Sequence, residues 1–487
     1  MRRSLLFPLL AMFALAGCDG GDGALKVAFI DMPEDLFAPG VRLSAGAQHL
    51  RAATGAGLVA LDAQGEVVPA LADRWIVTDD GRSFIFRLRD RPWPDGRPLT
   101  AESARAALQQ ALRALRGTSL GEDLTPIAEV RAMAGRVVEI RLSSPVPTLL
   151  QLLAQPELAL AHGEGGSGPM LLTRRGDVAL LRMKPPAERG LPEEEDWQTW
   201  VRPVEVIAAT AAEAVEMFDG DAVDVVLGGR IGALPLADTG PLSRGTVRLD
   251  PALGLFGLQV RRPQGLLADR DGREAVAMAI DRQALIAPFN IGGWSPTTRV
   301  VAPGLPGDPG TIAERWSNES ADDLRDEAAR RVAAWRAERG GEPAHLTLAL
   351  DRSPGTDLLF TELARQLARV GIELERVPES TVSDLVLVDR VARYAAPRWF
   401  LTQFHCSLNR GLCDEDVDFL VDRAVAESDP ARRSALFIEA EAELTLSNVF
   451  IPFGSPLRWS LVRSNVDGFA ANPWGFHPLP DMALIPR

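Results

Sequence analysis

The chain has 487 residues, with 52 Lys plus Arg against 66 Asp plus Glu and a net charge of −14. That acidic balance argues against a nucleic-acid-binding surface and suits a soluble exported domain. The length exceeds what one core usually supports, so two or more lobes are expected, and no internal repeat or long low-complexity tract is visible.

At the N-terminus Arg2 and Arg3 precede an apolar run, Leu5 to Leu15, followed by small residues and Cys18. Charge, length and cleavage pattern are those of a secretory signal over 1–17. The run is too short to span a bilayer as a helix, and no later segment offers a transmembrane helix. Ser83 to Arg89 alternates, with Phe84, Phe86 and Leu88 on one face, which predicts a half-buried strand after the turn Asp79-Asp80-Gly81. Pro92-Trp93-Pro94-Asp95-Gly96 forbids regular structure and predicts a shaped loop. Thr100 is then an N-cap, and Ala104, Leu108, Leu112 and Leu115 form the apolar stripe of the helix it opens.

Further along, Phe218 to Asp224 reads as a helix end with a glycine stop. Arg273 to Leu285 is expected to be one helix with Ala275, Met278, Ala279 and Leu285 inward, and Asp326 to Arg339 a charged amphipathic one. Leu346 to Leu350 and Asp384 to Val388 are strand candidates, the latter running into the segment Asp389 to Trp399. Arg432 to Leu444 is a helix, Val449 to Phe453 a buried strand, and Val466 to Phe469 a turn into the C-terminal segment.

These pieces fall in a recognisable order. Pro69, Ala70 to Ala72, Trp75, Asp80-Gly81, Phe84 to Leu88, Asp95-Gly96 and Thr100 to Glu102 together resemble the signature of the family 5 extracytoplasmic solute-binding proteins of peptide, nickel and some sugar ABC importers. Ser103 stands where that family usually has Asp. TGAGLVAL from Thr54 to Leu61, Gly166 to Met170, GeiD-like Gly220 to Asp224 and REAVAMAIDRQAL from Arg273 to Leu285 are similar to later family motifs, with Ser167 for Thr and Met170 for Phe. Gly371 to Leu374 resembles another. Leu15-Ala16-Gly17-Cys18 resembles a lipobox, and Asp19 an inner-membrane retention signal. The resemblance implies a lipid-anchored periplasmic protein, with Cys18 acylated and 18–23 a tether.

The implied fold is α/β, a two-lobed periplasmic binding protein of type II, in the large class with an extra subdomain in lobe one. Lobe one would comprise 24–252 plus 461–487, with the subdomain inserted at about 36–165, and lobe two 253–460. The ligand would lie in the cleft between them, captured by hinge closure and delivered to inner-membrane ABC permease subunits. A monomer without cofactor or metal is expected.

Two thiols remain, Cys406 and Cys413 in FHCSLNRGLC. In an exported chain they are expected to pair, and dipeptide-binding members of the family carry a similar arrangement. A metal site with His405 is the alternative, but it lacks a CxxC pair. Peptide-binding relatives place an aspartate for the peptide amine after a strand like Asp384 to Val388. Here Arg393 falls near that place, with Asp389 four residues earlier. An enclosed ammonium opposite a guanidinium is unfavourable, so Arg390 or Arg393 is the candidate grip for a carboxylate or phosphate, and Asp389 the candidate for an amine. Trp294, Tyr394 and Trp399 are candidate apolar walls, and Ser167 a candidate contact in its turn.

Catalysis is not expected. The five histidines, His49, His162, His345, His405 and His477, form no HExxH, and neither a GxSxG elbow nor a P-loop occurs. The expected function is capture of peptides or peptide-like solutes for an importer. The alternatives are an orphan receptor or envelope scaffold on the same fold, or a binder of a non-peptide anionic solute.

Overall fold

A computed structural model describes residues 23–162, 165–237, 245–305, 308 and 310–485. The expected leader and Cys18 lie outside the described residues.

Apolar strands set up two central sheets. In the first, Leu25–Ile30 lies between Val204–Ala209 and Val225–Arg230 and is parallel to both. Buried on both faces, such a strand needs a nearly continuous apolar run, and LKVAFI supplies it. Antiparallel strands complete a seven-stranded order: Val247–Asp250, Arg458–Val462, Val225–Arg230, Leu25–Ile30, Val204–Ala209, Val178–Met183, Met170–Arg175. The second sheet runs Ile372–Val377, Ala344–Ala349, Leu385–Val391, Gly254–Val260, Phe450–Gly454. All seven residues of Gly254–Val260 are buried.

The chain leaves the first sheet after Asp250, enters the second at Gly254, and returns from Gly454 to Arg458. Two short connectors, 251–253 and 455–457, therefore join two lobes. The lobes also touch directly. At the start of helix Pro354–Arg369 a Cβ on Gly355 would lie 2.0 Å from the Ile231 carbonyl oxygen, so only glycine permits that approach.

A third, four-stranded antiparallel sheet orders Ala72–Val77, Ser83–Leu88, Val137–Leu142 and Ile127–Ala132. The alternation expected at 83–89 is realised, with Phe84, Phe86 and Leu88 buried. Thr100 caps helix Ala101–Ala114, where Ala104 and Leu108 are buried and Leu112 is half-buried; Leu115 is its buried C-cap. Ser103 does the work of an acidic capping residue. Its hydroxyl accepts from the Thr100 N–H at 3.0 Å and from the Trp93 indole at 2.8 Å, tying the proline loop to the helix. Ser103→Ala is expected to lower stability by about 1–2 kcal/mol, measured by urea unfolding, because both donors lose their acceptor.

Two expectations change. Arg273 to Leu285 is not one helix but two, Arg270–Met278 and Arg282–Ile286. Asp281 breaks it, since its carboxylate accepts from the Ala284 N–H at 3.0 Å and acts as a new N-cap. The intended inward residues are nonetheless buried. The strand expected to end at Val388 continues to Val391, so Asp389 and Arg390 are strand residues, paired in register with Phe256 and Leu255.

Cys406 and Cys413 are joined by a disulfide, with Cα atoms 5.3 Å apart. Among the described residues no helix is long and apolar enough to cross a membrane, and no group of three His, Cys, Asp or Glu is placed to hold a metal.

Candidate functional site

A cavity of about 870 Å³ lies between the lobes. The first lobe contributes Ser44, His49, Gln155, Arg230, Arg458 and Phe476, and the second Arg261, Asp389, Arg390, Arg393, Gln403 and Arg410. A second cavity of about 590 Å³ shares Leu43, Ser44, Ser119, Arg393 and Arg410 with it, so the two adjoin around those two arginines.

The cleft is cationic inside an acidic protein. Its lining holds seven arginines against three carboxylates, Asp351, Glu379 and Asp389. Of the cations, Arg458 is committed to Asp389, its Nη1 donating to Oδ1 at 2.6 Å. Arg393 donates to Glu157 at 2.8 Å and to Gln155 at 3.1 Å. Arg410 donates to the neutral Gln403 at 2.9 Å. Among the described residues the guanidinium groups of Arg230, Arg261, Arg352 and Arg390 make no hydrogen bond or ion pair. Burial, then the charges of Arg410 and Arg261, push the Arg390 group down to about 10. Burial also lowers Arg230, with Arg458 adding to the effect and Asp389, Asp31 and Glu379 opposing it. A bound anion would offset both causes at Arg390 by adding a counter-charge beside it.

The histidine in the wall adds no charge. Burial pushes His49 down to about 3. Its Nδ1 donates to the Ala45 carbonyl at 2.7 Å, and its Nε2 accepts from the His477 N–H at 3.1 Å.

The residues singled out from the sequence divide. Asp389, Arg390, Arg393 and Trp399 line the cleft. Tyr394 does not: its side chain is buried behind the wall, and its hydroxyl donates to Asp123 at 2.7 Å. Trp294 is also placed elsewhere, half-buried against Gly454 with its indole donating to the Ser455 carbonyl at 2.9 Å. Ser167 is buried, donates to the Leu160 carbonyl at 2.6 Å, and borders a separate cavity of about 270 Å³. Those three polar groups are spent on internal partners.

Sequence reasoning missed Arg230, Arg261, Arg410 and Arg458. Arg410 alone had a local signal, its position within the Cys406–Cys413 loop. The others sit at strand ends that meet only when the two sheets are brought together.

Known proteins with similar chains show one fold. A family described as "Bacterial extracellular solute-binding proteins, family 5 Middle" matches residues 66–407. The probable deoxycholate-binding periplasmic protein YgiS of Escherichia coli (strain K12) is 25% identical over 472 residues, covering 85% of this chain and 84% of that protein. The probable di/tripeptide-binding protein 5 of Pseudomonas aeruginosa (strain UCBPP-PA14) is 24% identical, covering 86% and 87%. Among solved structures, Haemophilus influenzae OppA in complex with RPPGFSPFR superposes with a TM-score of 0.78 at 16% identity, covering 96% of this chain and 100% of that one. AgaA from A. tumefaciens R10, in complex with agropinic acid, superposes at 0.72 with 18% identity, covering 96% and 99%.

Proposed function

The chain belongs to family 5 of the bacterial extracellular solute-binding proteins, non-enzymatic components of ABC transport, and on that premise we propose that it captures a peptide or peptide-like solute by a carboxylate. The solute is enclosed between the lobes and delivered to a membrane permease.

The observation that carries this reading is the excess of arginines from both lobes over carboxylates in the cleft, seven against three, with Arg390 beside two other arginines. Arg390 lies beside the charges of Arg410 and Arg261 on one lobe, and Arg230 beside that of Arg458 on the other. One anion between them reverses the sign of the interaction and favours closure. Asp389 supports the same class from the other side. Its pairing with Arg458 means that a peptide amine would have to displace a guanidinium to reach it. The names of similar proteins fit this chemistry, since one is named for the anion deoxycholate, one holds agropinic acid, and others are named for or hold peptides.

The expected lobes are 24–252 with 461–487, carrying the subdomain at about 36–165, and 253–460; because strand Arg458–Val462 pairs in the first sheet, we put the second boundary at 458 rather than 461. This division is supported by the two connectors between the sheets. In the mature form Cys18 carries the lipid, 18–23 is the tether, and the monomeric domain works at the outer face of the inner membrane.

A thermal-shift comparison of acetyl-trialanine, its C-terminal amide and unblocked trialanine tests the class. Binding at a hundredfold excess over Kd stabilises by about 2.7 kcal/mol, which is readily visible. The two carboxylates should raise the midpoint and the amide should not. A shift by the amide equal to that of the acid, or one confined to the unblocked amine, overturns the carboxylate anchor.

A further inference from the structure

The disulfide loop delivers a charge to the cleft. Arg410 lies within it and borders both adjoining cavities. Its partner Gln403 is 2% exposed, and the Gln403 amide nitrogen donates to the Trp399 carbonyl at 3.1 Å. That bond fixes the amide so that its oxygen faces Arg410. The loop backbone is held just as closely. Asn409 takes the left-handed conformation with φ of 50°, and the Leu412 N–H donates to the Val260 carbonyl at 2.8 Å. A Cβ on Gly411 would lie 2.6 Å from the same carbonyl oxygen. Asn409 and Arg410 are therefore presented between the disulfide on one side and the end of strand Gly254–Val260 on the other.

Arg410 and Arg390 are charged neighbours, and among the described residues no carboxylate pairs with either. We propose that these two guanidinium groups form one cradle for the anionic group of the solute, and that the Cys406–Cys413 disulfide is the positioning element that keeps Arg410 in it. This rests on the anionic cargo proposed above. Two like charges held together in a half-buried wall destabilise the empty protein, a common signature of a site built for a ligand rather than for the fold. Reduction of the disulfide would leave the arginine on a longer, freer loop, and the solute would then have to order that loop on binding.

The test uses the purified mature protein and sodium sulfate as probe, against sodium chloride at matched ionic strength. Thermal midpoints are followed across a sulfate titration. Arg410→Gln is expected to raise the midpoint of the empty protein and to weaken the apparent sulfate Kd about tenfold, the loss of one charge-assisted contact. The double variant Cys406→Ser, Cys413→Ser should also weaken sulfate binding, and adding Arg410→Gln to it should weaken it little further. Reducing the folded wild type with dithiothreitol, with thiols counted, makes the same comparison without dependence on how the serine variant folds.

A sulfate Kd within about twofold of wild type in Arg410→Gln overturns the cradle whatever the midpoint does. Additive losses from Arg410→Gln and the serine pair overturn the positioning role. Loss of the sulfate response in Arg390→Gln alone leaves the anionic cargo standing and removes Arg410 from it. No sulfate-specific response in wild type removes both.

Discussion

Arg299→Met is expected to destabilise the protein by about 3–5 kcal/mol, read as a lower urea midpoint with an unchanged slope. Arg299 holds two carboxylates in the second lobe. Its Nε and Nη2 donate to Glu441 at 2.9 and 3.1 Å, and its Nη1 donates to Asp308 at 2.9 Å. All three side chains are under a tenth exposed. The Arg299 guanidinium holds Asp308 below the usual carboxylate range, whereas burial pushes Glu441 up despite the pairing. Removing the cation leaves two buried acids facing each other, and that loss exceeds what the pair contributes to folding. Arg299→Lys should recover only part, because an ammonium cannot fork to both partners. Adding Glu441→Leu and Asp308→Asn to Arg299→Met should recover most of it. A loss below about 1 kcal/mol for Arg299→Met would show that the cluster behaves like an exposed pair.

Asp123 is expected to contribute a loss of stability on the order of 3 kcal/mol as pH rises from about 4 through about 6, opposed in the same window by His49, whose lowered pKa gives a slope of the opposite sign. Burial pushes the Asp123 carboxyl up to about 6, against the opposing pull of Arg398 and the Tyr394 hydroxyl. Its Oδ1 accepts from Tyr394 at 2.7 Å, and its Oδ2 has no partner. The folded pKa is above the ordinary value near 3.9, so the folded state binds the proton more tightly. The favourable contribution is complete below about pH 4 and is lost as pH rises through about 6. Asp481, pushed up to about 6 by burial, adds a slope of the same sign. The urea midpoint of Asp123→Asn relative to wild type should rise with pH across this window, and further when Asp481→Asn is added. Asp123→Asn should also be more stable than wild type at pH 8. An unchanged slope in Asp123→Asn would show that the carboxylate is ionised in the fold across the whole window. Because Tyr394 comes from the second lobe and Asp123 from the region around the third sheet, the same variant also probes how that contact is held.

Much of the architecture was legible in the chain because its causes are local. The Phe84, Phe86, Leu88 alternation, the Thr100 cap and the order of motifs from Pro69 to Glu102 depend on neighbours within a few residues. They identified the family before any distance was known. The pairing of Cys406 with Cys413 is local in the same sense. Asp281 was the exception, a local cap read as part of a continuous helix, since apolar periodicity persisted across it.

The cleft chemistry was decided at longer range. Nothing near Asp389 in the sequence marks Arg458 as its partner, and nothing near Tyr394 marks Asp123. Arginines look alike in a sequence whether a carboxylate awaits them or not, so Arg230, Arg261 and Arg410 could not be separated from surface arginines. By itself the sequence determined most of the elements, the two-lobed fold class and the family, because period, caps and turns act over a few residues. Only the tertiary structure decided which charges are neutralised and which face the cavity, because that depends on side chains from two sheets meeting across a hinge.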